Sequence, residues 1–340
     1  MISVIEPGRF TSFQDRGRSG FAHLGVPQAG AADSMSLRHA NLLVGNGDGS
    51  TALEMTLSGP TLRFETNAVI AFAGGRIEPY LDDMPLPMYQ SVAIRAGQVL
   101  ACGPLLTGVR CYLAIAGGFS PPATLASTSS DTFAALGPPV LRTGDRFACE
   151  AHSLHQGWYL RFPPEFPDEI TLRVIQGPHD DWFSPTALAI FLAGTFEVRA
   201  DSDRTGLCLS GERIHRKNHG ELPSQGMVTG AVQIPGDGHP IALLTNHGTV
   251  GGYPVIAVVI HADLSRMGQL RAGAKLRFHP VGREQALTAL RSAEAELHNA
   301  VVSADPGLLA ARSLMVLAKV HPSLRTACLQ LGQWRVRVRR

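Results

Sequence analysis

The sequence predicts a mainly β protein of two domains, followed by a helical extension. Its 36 glycines and 23 prolines recur between short β-branched runs, which is typical of strands joined by tight turns. The proline-rich residues 158–168 have the composition of a linker. After Pro280 the apolar residues adopt helical spacing. We therefore expect domains at residues 1–163 and 164–282, and a helical extension at residues 283–340.

The first predicted domain combines short strands with one helix. Asp33 or Ser34 can cap a helix whose apolar face is followed by Gly45 as a left-handed stop. Residues 121–139 lack periodicity, so we expect a long loop there, and loops of this length are often functional. The predicted strands are residues 2–5, 52–57, 61–64, 68–73, 77–80, 92–94, 99–102 and 110–116.

The second predicted domain repeats this strand-rich pattern and adds a helix that Ser184 or Thr186 can start. After it, residues 283–301 present four apolar side chains on one helical face, and residues 308–317 can form a second helix. We expect this helical extension to pack back on a barrel or on a partner. The predicted strands are residues 170–176, 196–199, 207–210, 232–234, 241–244, 254–261 and 275–279.

Bulk composition argues against several classes of protein. A net charge of +2 with 17% charged residues gives no reason to expect nucleic acid as a partner. Five cysteines without a C-x-x-C pair indicate neither a disulfide framework nor a thiolate zinc site. The first residues lack the features of a signal peptide, and the longest apolar run, residues 255–260, is too short to span a membrane. We therefore expect a cytoplasmic protein with no membrane partner.

The first candidate site is a polar set between glycines near the start of the chain. Asp15 and Arg18 are close enough in sequence to pair, and an aspartate held by an arginine stays ionised and oriented. Such a carboxylate can act as a base or can anchor an amide N–H, whereas the structural alternative is a salt bridge that staples the loop. Gln14 and His23 belong to the same stretch.

The second candidate site lies at residues 243–257. A predicted buried strand ends at Thr245, and a polar stretch with two adjacent glycines follows it. Adjacent glycines allow close approach of a ligand and offer N–H donors to an anion or oxyanion. The alternative is a glycine hairpin with solvated polar tips. The candidate residues are Asn246, His247, Thr249, Gly251, Gly252 and Tyr253, with Gln225 and Gln233 as additional amide contacts.

Other chemical motifs are missing from the sequence or lack support. There is no dinucleotide fingerprint, no Walker-type phosphate loop and no G-x-S-x-G nucleophile elbow. Two histidine pairs, His152 with His155 and His215 with His219, have spacings that metal ligands use, but nothing around them supports a metal site. We predict no metal.

A long, ordered set of motifs runs through the chain. These motifs are Pro7-Gly8, Gln14-Asp15-x-Gly17-Arg18, Gly25-Val26-Pro27, Gly30-Ala31-x-Asp33, Ala40-Asn41-Leu42-Leu43-Val44-Gly45-Asn46, Leu53-Glu54, Gly59-Pro60, Ala116-Gly117-Gly118 and Gly251-Gly252-Tyr253-Pro254-x-Ile256-Ala257-x-Val259-Ile260. Together they closely resemble one family, the biotin-dependent carboxyltransferase family in its KipA-type form, which comprises the C component of bacterial 5-oxoprolinase and allophanate hydrolase subunit 2-like proteins. The carboxyltransferase domain of urea carboxylase is related to this family.

The resemblance implies two cyclophilin-like β-barrel domains with the ligand site in the cleft between them. It implies that the KipA-type C component works with a KipI-like B component and a LamB-type A component to open 5-oxoproline to glutamate while consuming ATP. We expect that this chain alone binds no cofactor, that the complex uses ATP, and that the substrate is a small amide or lactam. Whether the chain forms a homo-oligomer is left open. Placing the first stretch in a family motif favours chemical roles for Asp15 and Arg18, and His247 in the second stretch is the third predicted catalytic residue.

The sequence also departs from the family pattern. The usual Gly-Ser-Arg-Ser stands as Ala126-Ser127-Thr128-Ser129, and the usual Gly-Tyr-Arg-Leu stands as Gly206-Leu207-Cys208-Leu209. The usual Asp-Arg-Gln-Thr-Thr stands as Asn246-His247-Gly248-Thr249-Val250, and a usual lysine is Val255. Each change removes a charge or an acceptor near the expected cleft.

Three functions therefore compete. The first is the C component of an ATP-dependent 5-oxoprolinase-type hydrolase. The second is a biotin-dependent carboxyltransferase that moves a carboxyl group from the carboxybiotin of a partner to urea or a urea-like amide. The third is a charge-depleted paralogue without catalytic activity that binds a KipI-like partner.

Overall fold

The structure is a computed structural model that describes residues 1–149, 157–217, 220, 222–303, 329–331 and 334–336. Its first half forms two antiparallel sheets, of six strands (β11-β1-β4-β9-β6-β7) and five strands (β2-β3-β10-β5-β8). The strands are β1 (Ile2–Glu6), β2 (Phe10–Gln14), β3 (Ala52–Thr56), β4 (Thr61–Phe64), β5 (Ala68–Gly74), β6 (Tyr80–Leu81), β7 (Met84–Pro85), β8 (Val92–Ile94), β9 (Val99–Ala101), β10 (Arg110–Ile115) and β11 (Arg146–Phe147).

The five-stranded sheet is covered on both faces, which explains why every residue of β5 is buried. Ile70 and Phe72 point into the core shared with the six-stranded sheet. Val69 and Ala71, which alternate with them, pack against helix α1 (Ser34–Leu43) on the other face. The side chain of Asp33 caps α1 by accepting a hydrogen bond from the N–H of Ser36 (2.9 Å), as predicted.

The second half is a closed seven-stranded barrel with strand order β13-β20-β17-β18-β15-β14-β21. Strands β13 and β21 pair in parallel, and the other pairs are antiparallel. The elements from the linker onward are β12 (Trp158–Leu160), β13 (Glu169–Gln176), α2 (Pro185–Ala193), β14 (Phe196–Val198), β15 (Gly206–Ser210), β16 (Gln225–Gly226), β17 (Ala231–Gln233), β18 (Ile241–Leu243), β19 (Val250–Gly251), β20 (Val255–Val259), α3 (Leu264–Met267) and β21 (Lys275–Pro280).

The chain after the barrel returns to the first half. Helix α4 (Arg283–Ala300) lies against α1, where Arg38 forms a two-point ion pair with Glu294 (2.6 and 2.7 Å). Strand β22 (Val301–Ser303) pairs with β12. The predicted second helix, at residues 308–317, lies outside the described residues; further on, β23 (Leu329–Leu331) pairs with β24 (Trp334–Val336).

The mainly β class, the barrel and the first helix of the extension are thus confirmed, with three local corrections. The loop predicted to carry Gln14 is strand β2 up to that residue. The predicted strand 77–80 is wrong except for Tyr80. The proline-rich linker contains β12, because its apolar side chains cover the same face of the sheet as α1. The division into domains at 1–163, 164–282 and 283–340 stays a prediction.

A buried ionic network joins the two halves. Glu54 on β3 is fully buried and accepts hydrogen bonds from the Tyr112 hydroxyl (2.6 Å) and the Ala32 N–H (3.0 Å). Arg204, from the barrel half, donates to the same carboxylate, and Arg110 lies 3.4 Å from it. Burial raises the pKa of Glu54, but the two arginines and the hydrogen bonds together lower it by more, so the net pKa lies below its usual value.

We predict that Glu54→Gln destabilises the protein by about 3 kcal/mol, because two buried arginines lose their counter-charge. Urea unfolding at neutral pH, followed by tryptophan fluorescence, measures the loss. Glu65→Gln is the matched control, since Glu65 is partly exposed in its pair with Arg146 (2.7 Å) and should cost less than about 1 kcal/mol. Equal effects of the two substitutions would contradict this account.

Candidate functional site

The candidate site is a cleft of about 700 Å³ between the two halves. One wall comes from the glycine-rich N-terminal stretch and the start of α1, and the other comes from the barrel and α3. Three of the predicted site residues line it: Asp15, His247 and Thr249. The cleft expected from the sequence is therefore present, but the remaining predicted residues surround it at different distances and depths.

Asp15 is held by a cradle of hydroxyl and backbone donors. Its Oδ1 accepts from Gly17 N–H (2.7 Å), Ser127 Oγ (2.7 Å) and Ser129 Oγ (2.5 Å). Its Oδ2 accepts from the N–H (2.7 Å) and the hydroxyl (3.0 Å) of Thr128. Burial raises the pKa of Asp15, but these hydrogen bonds lower it more, so the net pKa lies below its usual value.

This cradle changes the interpretation of Asp15. A carboxylate has about four lone-pair positions, and five donors already use them. The geometry therefore supports an anchor that fixes the N-terminal wall of the cleft to the long loop, and it leaves little capacity for Asp15 to act as a base. Thr128, where the family pattern has an arginine, supplies two of the five donors.

The predicted pairing of Asp15 with Arg18 is wrong. Arg18 is 1% exposed and donates to two carbonyl groups of the long loop, those of Thr124 (3.2 Å) and Ser129. Gln14 is fully buried beside it and donates to the Ser130 carbonyl (3.0 Å). Both side chains are buried and hold the long loop from inside the protein, and neither lines the cleft.

Arg16 belongs to the same polar set but was not selected as a site residue, and it lines the cleft, as does Arg38. Its side chain is 60% exposed and pairs with Asp48 (2.5 Å). The side chain lies across Gly49, where an added Cβ would be 2.7 Å from the Arg16 Nε. Simple alternation would place Arg16 and Arg18 on the same side of the chain, but the left-handed backbone of Gly17 (φ 82°) between them turns the chain and separates them.

His247 presents a basic nitrogen in the barrel wall. Its Nδ1 lies 2.7 Å from the Gly248 carbonyl, which only accepts, so the proton belongs on Nδ1 and Nε2 keeps its lone pair. Burial lowers the pKa of His247 below its usual value, and the bond to Gly248 offsets only part of that effect. The ring is therefore neutral near physiological pH and can accept a proton.

Asn246 and His247 face different spaces, although they are adjacent in the chain. Asn246 is 2% exposed, donates to Asp131 (2.9 Å) on the long loop, and accepts from Arg204 Nε (3.2 Å). It lines a separate cavity that shares no lining residue with the cleft. Arg204 also donates to the Gly30 carbonyl, so its side chain forms a partition across the crevice.

The remaining residues of the second stretch shape the barrel wall from behind. Gln225 contacts His179, whose Nδ1 accepts from the Val255 N–H (3.0 Å). The Gln225 Nε2 lies 2.6 Å from His179 Nε2. Because the bond to Val255 places the His179 proton on Nε2, we assign the Gln225 amide the other way round, with its oxygen accepting that proton. An added Cβ on Gly251 would lie 2.7 Å from the Gln233 amide nitrogen, so this glycine makes room for a side chain.

Three other predicted residues lie outside the cleft lining. His23 is exposed and its Nδ1 contacts the Gly20 carbonyl (3.1 Å). Tyr253 is 48% exposed, and Gly252 packs near the Leu222 carbonyl. The polar side chains that line the cleft and that the sequence analysis did not select are Arg16, Gln28, Ser34, Arg38, Thr229, Thr245, His261, Ser265 and Glu294.

The described residues contain no cluster of three or more histidine, cysteine or acidic side chains that could hold a metal ion. His152, His155 and His219 of the two histidine pairs lie outside the described residues. Within the described part of the chain, no helix is long and apolar enough to cross a membrane.

The backbone next to the Asp15 cradle carries a strain that a glycine would relieve. Ala126 has φ 60°, a left-handed conformation that costs a non-glycine residue about 1–2 kcal/mol. The family pattern has glycine at this position. We predict that Ala126→Gly stabilises the protein by about 1 kcal/mol, after allowing for the greater freedom of glycine in the unfolded chain.

Thermal or urea unfolding measures that change. The control is Ala93→Gly in β8, where the backbone is an ordinary strand and glycine should destabilise by about 0.5–1 kcal/mol. A loss of stability in both variants would show that the Ala126 backbone is not strained.

Comparison with known proteins identifies the family of this cleft-bearing fold. The family model for the carboxyltransferase domain, subdomain A and B, matches residues 24–280. The C component of the 5-oxoprolinase of Escherichia coli (strain K12) is 35% identical over 301 residues, which cover 85% of this chain and 94% of that protein. The urea amidolyase of Saccharomyces cerevisiae is 32% identical over 308 residues, which cover 83% of this chain and 17% of that protein.

Comparison with solved structures supports the same family. The crystal structure of the Kluyveromyces lactis urea amidolyase matches with a TM-score of 0.82 and 29% identity over 88% of this chain. The chain spans only 20% of that enzyme. The crystal structure of TTHA0988 matches with a TM-score of 0.75 and 36% identity over 82% of this chain, and the match covers 55% of that protein. On these grounds the chain belongs to the family of carboxyltransferase domains built from subdomains A and B.

Proposed function

We propose that this chain is the C component of an ATP-dependent 5-oxoprolinase-type hydrolase that opens 5-oxoproline, a small lactam, to glutamate. The supporting observation is the extent of the similarity: the chain matches 94% of the Escherichia coli 5-oxoprolinase component. By contrast, it spans only 17% of the yeast urea amidolyase, most of which has no counterpart in it. The 5-oxoprolinase component is therefore the better match for this chain.

We propose that a KipI-like B component and a LamB-type A component complete the complex. The sequence carries no recognisable nucleotide-binding motif, so ATP would be handled by a partner or at an interface between chains. The decisive experiment reconstitutes the three components and measures ATP hydrolysis that depends on 5-oxoproline. This chain alone should show little activity, and no ATP turnover by the full set would refute the proposal.

Carboxyl transfer from carboxybiotin to urea or a urea-like amide is the second candidate, and it is favoured by the match to urea amidolyases. It requires a biotin carrier and a carboxylase, and neither is recognisable in this sequence. Inhibition by avidin separates the two reactions, since only carboxyl transfer depends on biotin. Binding of a KipI-like chain without any catalysis would instead support the charge-depleted paralogue.

In the proposed reaction, His247 acts as the general base. Its neutral imidazole has a free lone pair on Nε2 and lies in the wall of the cleft. It can take a proton from water as that water attacks the lactam carbonyl, and it can return this proton to the ring nitrogen as the C–N bond breaks; Asp15 keeps the opposite wall in place. The departures at Asn246 and Val255 do not remove this base.

Arg16 is the residue we propose to hold the substrate carboxylate. It lines the cleft, and in its pair with Asp48 the Arg16 side chain is 60% exposed and the Asp48 side chain 25% exposed. An exposed pair of this kind is worth about 0–1 kcal/mol, so a carboxylate can replace Asp48 at little cost. Asp48 keeps a second partner, Arg38 (2.8 Å). This role favours 5-oxoproline, which has a carboxylate, over urea, which has none.

We predict that His247→Gln lowers kcat of the reconstituted complex by about 10²–10⁴-fold. In the wild type, kcat should fall at acid pH as the imidazole is protonated. The midpoint should lie below 6.5, because burial lowers the pKa of His247 from that value. His23→Gln, which changes an exposed histidine outside the cleft, is the control. A variant that retained both its rate and its acid limb would exclude His247 as the base.

We also predict that Arg16→Gln raises KM for 5-oxoproline about tenfold, the loss expected for one charge-assisted hydrogen bond. Inhibition by 2-pyrrolidinone, the same lactam without the carboxylate, should not change. Arg76→Gln is the control, since Arg76 is 61% exposed in a similar pair with Glu78 (2.9 Å) outside the cleft lining. Equal weakening of both ligands would show that Arg16 does not recognise the carboxylate.

A further inference from the structure

A second cavity, of about 480 Å³, lies on the other side of the Arg204 partition. Its lining comes from the long loop, from the end of β3, and from the turn around Arg204 that joins β14 to β15. None of these lining residues borders the proposed 5-oxoproline cleft, so a role for this cavity does not depend on that proposed function.

One wall of this cavity is a row of three side chains on the five-stranded sheet. Thr56 on β3 lies directly opposite Phe10 on β2 and directly opposite Arg110 on β10. Residues that pair in this way project from the same face of a sheet. All three line the cavity, so the row places a hydroxyl and a guanidinium side by side next to an aromatic ring.

Three buried polar atoms of the lining residues have no hydrogen-bond partner in the described part of the chain: Thr56 Oγ1, Arg110 Nε and Arg271 Nε. Other nitrogen atoms of the two arginines already donate hydrogen bonds. Arg110 Nη1 donates to the Gly268 carbonyl, and Arg271 Nη2 donates to the carbonyls of Leu106 (3.0 Å) and Gly108 (3.1 Å). A buried donor without a partner costs about 1–3 kcal/mol, so such atoms are rarely left unpaired.

Each of the four arginines that line the cavity lies beside a carboxylate: Arg110 and Arg204 beside Glu54, Arg199 beside Asp201, and Arg271 beside Asp168. Arg110 Nε lies 3.4 Å from Glu54, and Arg271 Nε lies 3.7 Å from Asp168, in ion pairs without hydrogen-bond geometry. Asp203, which also lines the cavity, accepts from the N–H groups of Thr205 (2.6 Å) and Gly206 (3.3 Å). Two N–H donors and a hydroxyl fit the two oxygens of one carboxylate, whereas a multiply charged phosphate would find too few free donors.

The other side of the cavity is apolar and exposed. Phe133 on the long loop is 68% exposed, and Leu57 is 45% exposed with a left-handed backbone (φ 64°). A bulky residue rarely adopts this conformation, and strain of this kind concentrates at ligand sites. Both side chains line the cavity and provide contact area for an apolar group.

We propose that this cavity is a second ligand site that binds a small organic acid with an aromatic or other apolar body. The carboxylate accepts hydrogen bonds from Thr56 Oγ1 and from the Nε groups of Arg110 and Arg271. The apolar body packs against Leu57 and Phe133. The volume is within the range of small-molecule pockets, about 300–1,000 Å³.

The test uses phenylacetate as the probe and isothermal titration calorimetry on the full chain. Wild-type protein should bind phenylacetate at least tenfold more tightly than phenylacetamide, its uncharged counterpart. Thr56→Val, which keeps the shape and removes the hydroxyl, should weaken binding about tenfold. Arg271→Lys, which keeps the charge and removes the Nε donor, should weaken it by a similar factor, and Phe133→Ala should also reduce affinity.

His247→Gln and Arg16→Gln are the controls, because both residues line the other cavity, and neither should change phenylacetate affinity. The proposal is overturned if phenylacetate shows no saturable binding at millimolar concentration, or if phenylacetamide binds equally well. It is also overturned if the controls weaken binding and Thr56→Val does not, since the probe would then occupy the cleft.

Discussion

The structure depends on one buried carboxylate. Glu54 lies at 0% exposure on a central strand, where an isolated negative charge would cost several kcal/mol. Arg110 from its own sheet and Arg204 from the barrel half compensate it. Because one of the two cations comes from across the crevice, the second half completes the charge compensation of a carboxylate in the first half.

The same interaction organises the space between the halves. The Arg204 side chain reaches across to Glu54 and the Gly30 carbonyl, and it separates the cleft around His247 from the cavity around Thr56. Asn246 contacts this arginine and links it to the long loop through Asp131. An asparagine in place of the usual aspartate therefore serves a neutral structural role beside an arginine that already has a carboxylate partner.

The departures from the family pattern acquire a physical meaning in this arrangement. Thr128 replaces a long cation with a short hydroxyl, and that hydroxyl completes the donor cradle around Asp15. The loss of charge at this point leaves the carboxylate fully hydrogen-bonded. The cleft keeps a neutral histidine as a basic group and Arg16 as an exposed cation, a simpler set of charges than the family motif implies.

The sequence by itself determined the elements whose signals are local. Helix α1 was predictable because Asp33 caps it and Gly45 ends it, and helix α4 because its apolar residues have helical spacing. The family followed from ordered motifs, and these selected three residues that do line the cleft: Asp15, His247 and Thr249.

Only the tertiary structure decided which side chains of a motif reach the cleft. Gln14 and Arg18 are buried while Arg16 lines the cleft, and Asn246 and His247 face different cavities. Glu54, Arg204 and Thr56 gave no local signal, because their roles arise from partners far away in sequence. The physical reason is that local spacing fixes backbone geometry, whereas burial, charge compensation and cavity lining depend on how the two halves pack together.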